Sequence, residues 1–222
     1  MRKITFDTVV MIILCMSCFF PGKNLSSQSI KADNEFAFAQ KLYEDKLYTL
    51  AGQQLRAFAN ANPDHDKADD ALLLSGNAFF DGGKLDAAFE SYKELEIGFP
   101  QSPLLPQSRY RLAQCFLHQN KFAEAAESFK RVAVFHPQSD WAARGYLEAG
   151  RCYLKAGLLM PARNSFLTLI QTYPDKPERL EAHLDLVESY FQHEDYQEAL
   201  SQIDGIFRSF GADFKDPRVY LL

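Results

Sequence analysis

Apolar and small side chains return along this chain in a fixed register of 37 residues. A small residue stands at Ala51, Ala88, Ala125, Ala162 and Ala199, and twelve positions before each stands Ala39, Gly76, Ala113, Gly150 or Val187. Three residues after that second column come Leu42, Phe79, Phe116, Tyr153 and Tyr190, and a further column reads Leu55, Tyr92, Phe129, Phe166 and Ile203. Inside each period the spacing is helical. Phe122, Ala125, Phe129 and Val132 are separated by three, four and three residues, and Tyr110, Ala113 and Phe116 by threes, so each set lies on one helix face. Gly-rich or polar breaks such as Asp81-Gly82-Gly83-Lys84 and His118-Gln119-Asn120-Lys121 divide the period into two helices. Pro63, Pro100, Pro137 and Pro174, again 37 apart, end the second helix of each pair.

The pattern predicts an all-α chain of five helical hairpins, at about residues 34–66, 67–103, 104–140, 141–177 and 178–214. One hairpin cannot bury its apolar face alone, so neighbours must stack, and the stack is a right-handed α-solenoid with a concave side. Ala or Gly where two helices cross allows close backbone approach, and the aromatic columns fill the space beside the crossing. Pro161 falls in the first turn of its helix, where a missing N–H costs little.

The order Gly76, Phe79, Ala88, Tyr92, Pro100, repeated as Gly150, Tyr153, Ala162, Phe166, Pro174, resembles the tetratricopeptide repeat over roughly residues 34 to 211. The period is longer than the family's 34, and Val187 and Gly211 depart from the motif in the fifth unit. The long period and the aromatic-Pro or His-Pro ends (Phe99-Pro100, His136-Pro137, Tyr173-Pro174) look like the repeats of bacterial envelope proteins. Two such are the periplasmic protein associated with the Tol–Pal system and the five-repeat lipoprotein of the outer-membrane β-barrel assembly machine. The resemblance implies a ligand surface on the first helices. It would comprise Leu73, Tyr110 and Leu147 in one row, Asn77, Gln114, Arg151 and Glu188 in a second, and Phe80, Leu117 and Leu154 in a third. Such an apolar groove with a polar ladder suits an extended or helical partner segment. Relatives that clamp a C-terminal carboxylate do so with Lys and Asn; here Leu73, Tyr110 and Leu147 stand where the Lys would lie, so that clamp is not assembled.

The N-terminus follows a different pattern. Arg2 and Lys3 precede an apolar run from Val9 to Phe20, too short to span a bilayer and ordered like a secretory signal peptide over residues 1–22. Cys18, after Met16 and Ser17, resembles a bacterial lipidation site; the alternative is ordinary cleavage between Pro21 and Ala32. A polar linker is expected over residues 23–33, and residues 217–222 read as the start of a capping or truncated helix. These features predict an exported protein, periplasmic or anchored to the outer membrane.

Net charge is -5, with 29 acidic and 24 basic residues interspersed and no basic block, which argues against nucleic acid as a partner. Cys115 and Cys152 occupy equivalent positions, in a column with Ala78 and Ser189, and read as small packing residues. Helices 8–10 Å apart hold Cα atoms too distant for a disulfide there. His183, Glu188 and His193, stepped by five, do not converge on a metal. Asp64, Asp66, Asp69 and Asp70 lack the pattern of a calcium loop and are expected to cap and favour a helix N-terminus. No catalytic constellation or cofactor motif is present. The chain reads as a non-catalytic adaptor for protein partners; a self-assembling solenoid, or an accessory subunit or fragment of a larger protein, are the alternatives.

Overall fold

The computed structural model describes residues 22–211, with side chains from residue 29 onward. Among the described residues there are ten helices: α1 (Gly22–Glu44), α2 (Tyr48–Ala61), α3 (Ala68–Asp81), α4 (Leu85–Gly98), α5 (Leu105–His118), α6 (Phe122–Phe135), α7 (Trp141–Lys155), α8 (Leu159–Thr172), α9 (Glu178–Phe191) and α10 (Tyr196–Phe210). Each helix packs on the next, and the odd-numbered helices also pack on one another, α1 on α3 through to α7 on α9. The first helices of the five hairpins therefore form one contiguous inner row. The leader, Cys18 and the segment 217–222 lie outside the described residues. Residues 23–33, expected as a linker, are helical and part of α1, and Ala32 already lies in the core.

The turn inside each hairpin is one motif used five times. Lys46, Gly83, Asn120, Gly157 and Glu194, each 37 apart, hold positive φ between 58° and 74°. The following N–H reaches back to close the helix: Leu47 to the Leu42 carbonyl, Lys84 to Phe79, Lys121 to Phe116, Leu158 to Tyr153 and Asp195 to Tyr190, at 2.7–3.0 Å. This bond satisfies a carbonyl orphaned at the helix end. Between hairpins the prolines act on the residue before them. Asn62, Phe99, His136 and Tyr173 take φ between −133° and −124°, out of the helical region, because the proline ring crowds the preceding backbone. The aspartate run does less than expected. Lys67, not an aspartate, flanks α3, and no side chain caps it; Asp69 and Asp70 occupy its first turn, where negative charge opposes the helix dipole.

Packing explains why the columns covary. A Cβ on Gly76 would lie 2.3 Å from the Tyr92 ring, and one on Gly150 2.3 Å from the Phe166 ring. Both rings are fully buried. The same crossing is filled in α1 and α2 by Ala39 with Leu55, and in α9 and α10 by Val187 with Ile203, so a larger residue in one column meets a smaller one in the other. Between hairpins the fit is as tight: Ser75 Oγ donates to the Gly52 carbonyl at 2.8 Å, and a Cβ on Gly145 would meet the Phe129 carbonyl at 2.7 Å. Burial of each large side chain contributes ~1.5–3 kcal/mol, and the density of these contacts makes one register favourable. Cys115 and Cys152 are free thiols, buried at such a packing point.

Candidate protein-binding groove

The groove is built from the inner row. Its floor is the column Phe36, Leu73, Tyr110, Leu147 and Leu184. Phe36, Leu73, Leu147 and Leu184 are only 5–7% exposed. Leu73 and Leu147, expected as contact surface, thus have little exposed area: both are packed mainly in the core, and Leu73 borders the cleft between α1 and α3. Tyr110 is half-buried, its ring 4.9 Å from both Phe129 and Trp141, and burial pushes its pKa up to about 12.

The polar ladder stands above the floor. Asn77, Gln114 and Arg151 are half-buried and Glu188 is exposed. The Asn77 carbonyl oxygen accepts from the Tyr92 hydroxyl at 2.9 Å, and the Gln114 carbonyl oxygen accepts from Arg111 at 3.1 Å. Each amide therefore has its acceptor engaged while its NH2 group remains a donor. Arg151 binds Glu148 on its own helix at 3.1 Å, and Glu181 and Asp185 on α9 at 3.2 and 2.6 Å. Burial disfavours its charge, but these bonds outweigh burial and its pKa is raised. Burial moves Asp185 upward as well, against the pull of Arg151.

The third row, Phe80, Leu117 and Leu154, is half-buried and forms the wall, continued by Tyr43 and by Phe191 at 43% exposed. His118 meets the Phe80 ring edge-on at 4.9 Å, and the Arg111 guanidinium lies 5.9 Å from its centre. The Tyr43 hydroxyl donates to Asp81 at 2.5 Å, tying the first hairpin to the second. Clefts open between α1 and α3, beside Phe36, Gln40, Leu73 and Asn77, and between α7 and α9, beside Arg151, Leu154, Asp185 and Glu188.

All ten expected groove residues thus lie on the inner helices, but with unequal access. The groups missed from the sequence are Arg111, Glu148 and Asp185. They share a column with Ala37 and Leu74, so the charge appears only in the later units and does not read as a conserved polar position of the repeat. Among the described residues no group of three or more His, Cys, Asp or Glu is placed to hold a metal ion, and no helix is long and apolar enough to cross a membrane.

A sequence model described as the tetratricopeptide repeat matches residues 36–103, 105–140 and 147–206. No curated protein sequence matches the chain. Among solved structures, the putative kinesin light chain TPR-like repeats of Podosopora anserina superpose with a TM-score of 0.59 at 14% identity, over 82% of this chain and 95% of that one. MamA (41-end) from Desulfovibrio magneticus RS-1 gives 0.61 at 16% identity, over 83% and 98%. At these identities the likeness is one of fold.

Proposed function

Because the chain belongs to the tetratricopeptide repeat family, we propose that it is a non-catalytic scaffold of the bacterial cell envelope that holds segments of partner proteins in its concave groove. The family's typical use as a protein-interaction scaffold supports the first part of this reading. The signal-like leader and the pattern around Cys18 support export, with anchoring to the outer membrane if Cys18 is lipidated and residence in the periplasm if the leader is simply cleaved. Outer-membrane protein assembly and Tol–Pal-linked envelope maintenance are the two processes suggested by the long repeat period.

One observation carries the binding role: Asn77 and Gln114 stand half-buried on adjacent inner helices with their carbonyls engaged, each keeping an NH2 donor, beside the apolar column of Leu73 and Tyr110. A partner backbone offers the carbonyl oxygens such donors need. The test is a photo-crosslinking residue placed at Gln40 or Gln192 in the groove, or at Lys130 on the outer face, in cells. Discrete protein adducts are expected from the groove positions and not from Lys130. Adducts from Lys130 alone would refute the assignment. Fatty-acid labelling of wild type against Cys18→Ala decides the anchor.

A further inference from the structure

We propose that the groove differs in charge along its length and selects a segment that places a lysine or arginine, flanked by an apolar residue, over the last two hairpins. This rests on the concave face being the docking surface and adds the chemistry of the occupant. The argument is one of charge complementarity along an apolar channel. Over α7 and α9 the cleft is lined by three carboxylates, Glu148, Asp185 and Glu188, and two cations, Arg151 and Lys155, a formal charge of −1, and Glu181 binds Arg151 from beside it. Arg151 is already bound to Glu148, Glu181 and Asp185, so its charge is spent within the protein. Glu188 is exposed and accepts from the neutral Gln192 amide at 2.9 Å.

The cleft beside these groups measures about 270 Å³ and includes Leu154 in its lining. That is below the ~300–1,000 Å³ typical of small-molecule pockets, and suits a single long side chain with an aliphatic stem and a charged head. The middle of the groove has the opposite character. Arg111 and the amide groups of Asn77 and Gln114 offer donors there, and Asp81, held by the Tyr43 hydroxyl, offsets part of the Arg111 charge. Donors in the middle and acceptors at the C-terminal end fix which way a bound segment runs.

The test uses the full chain and two labelled amphipathic peptides with leucine at the same positions, one carrying lysine and the other glutamate, read by fluorescence anisotropy. The lysine peptide is expected to bind ~10-fold or more tightly than the glutamate peptide, with an advantage that shrinks as salt rises. Glu188→Lys replaces an attraction by a repulsion and is expected to weaken the lysine peptide by ~10-fold. Glu90→Lys, the same charge change on the outer helix α4, leaves it unchanged, which separates groove recognition from attraction to net charge. Absence of lysine-peptide binding, equal or tighter binding of the glutamate peptide, or equal effects of Glu188→Lys and Glu90→Lys would each overturn the proposal. If groove crosslinks at Gln40 and Gln192 persist in that case, the docking surface stands and only its selectivity is refuted. Crosslinks confined to Lys130 refute both.

Discussion

Gly150→Ala tests the central packing claim with one methyl group. The added Cβ would sit 2.3, 2.6 and 2.7 Å from three carbons of the Phe166 ring. Carbon atoms rest at ~3.5–4.0 Å, so the ring must retreat by roughly 1 Å or more. Phe166 is fully buried, so it can move only by displacing core neighbours. Overpacking of this kind costs ~1–3 kcal/mol, and a contact this short belongs in the upper part of that range. Alanine for glycine inside a helix returns ~1 kcal/mol. The net expectation is destabilisation of about 1–2 kcal/mol, or ~2–8 °C in Tm for a chain of this size. The protein's one tryptophan, Trp141, opens the same helix and packs on Tyr110, so its fluorescence in a urea titration reports on the affected hairpin. Far-UV circular dichroism should be followed in parallel, because repeats can unfold out of step. Phe166→Leu makes room for the methyl, so the double variant should lose less than the sum of the two single losses. Gly98→Ala, with open space around the added Cβ, serves as a control and should be neutral or slightly stabilising. Gly150→Ala at or above wild-type stability, or strict additivity with Phe166→Leu, would refute the reasoning.

Three further outcomes follow from other contacts. Arg163 is buried in the junction of the last two hairpins, where it donates to the Ser189 carbonyl at 3.0 Å, pairs with Asp195 at 2.6 Å and covers the Tyr190 ring at 4.0 Å. Arg163→Ala should cost about 2 kcal/mol in a urea titration, discounted because Asp195 is partly solvated, and Arg163→Met clearly less; equal losses would deny the packing role of its stem. Burial pushes the Cys115 thiol up to about 12 and that of Cys152 to about 11, so both should resist alkylation near neutral pH until the chain unfolds, and rapid native labelling located by peptide mapping would contradict their placement. Burial holds His183 and His136 below the ordinary value of 6.5. The unfolded chain then binds more protons than the folded one as pH falls through 6.5, so stability should be full above that value and decline on acidification through it. His183→Phe should flatten part of the decline, and a urea midpoint that rises on acidification would reverse the sign.

Much of the site could be placed from the sequence because position in the repeat fixes position on the inner row. Asn77, Gln114, Arg151 and Glu188 lie where their column puts them. What a column cannot supply is access and pairing. Leu73 and Phe80 look alike as apolar entries, yet one is 7% exposed support and the other a half-buried wall. Arg151 looks like a free ligand group, but its charge is taken by Glu181 and Asp185 from the next hairpin, at a separation of 30 and 34 residues.

The sequence by itself determined the number of hairpins, their register and the breaks between their helices, though not where α1 begins, because those breaks depend on local spacing, on prolines and on the period of apolar residues. It left open how each break is made: Lys46 and Glu194 adopt the positive φ that Gly83 and Gly157 advertise, since the closing hydrogen bond and the next helix hold them there. Only the tertiary structure decided that Val187 is matched by Ile203, that the aspartate run does not cap α3, and that Arg151 is bound by carboxylates of the next hairpin. Each of these depends on which side chains from neighbouring hairpins share one volume or one dielectric, and that is a property of stacked helices rather than of any single stretch of chain.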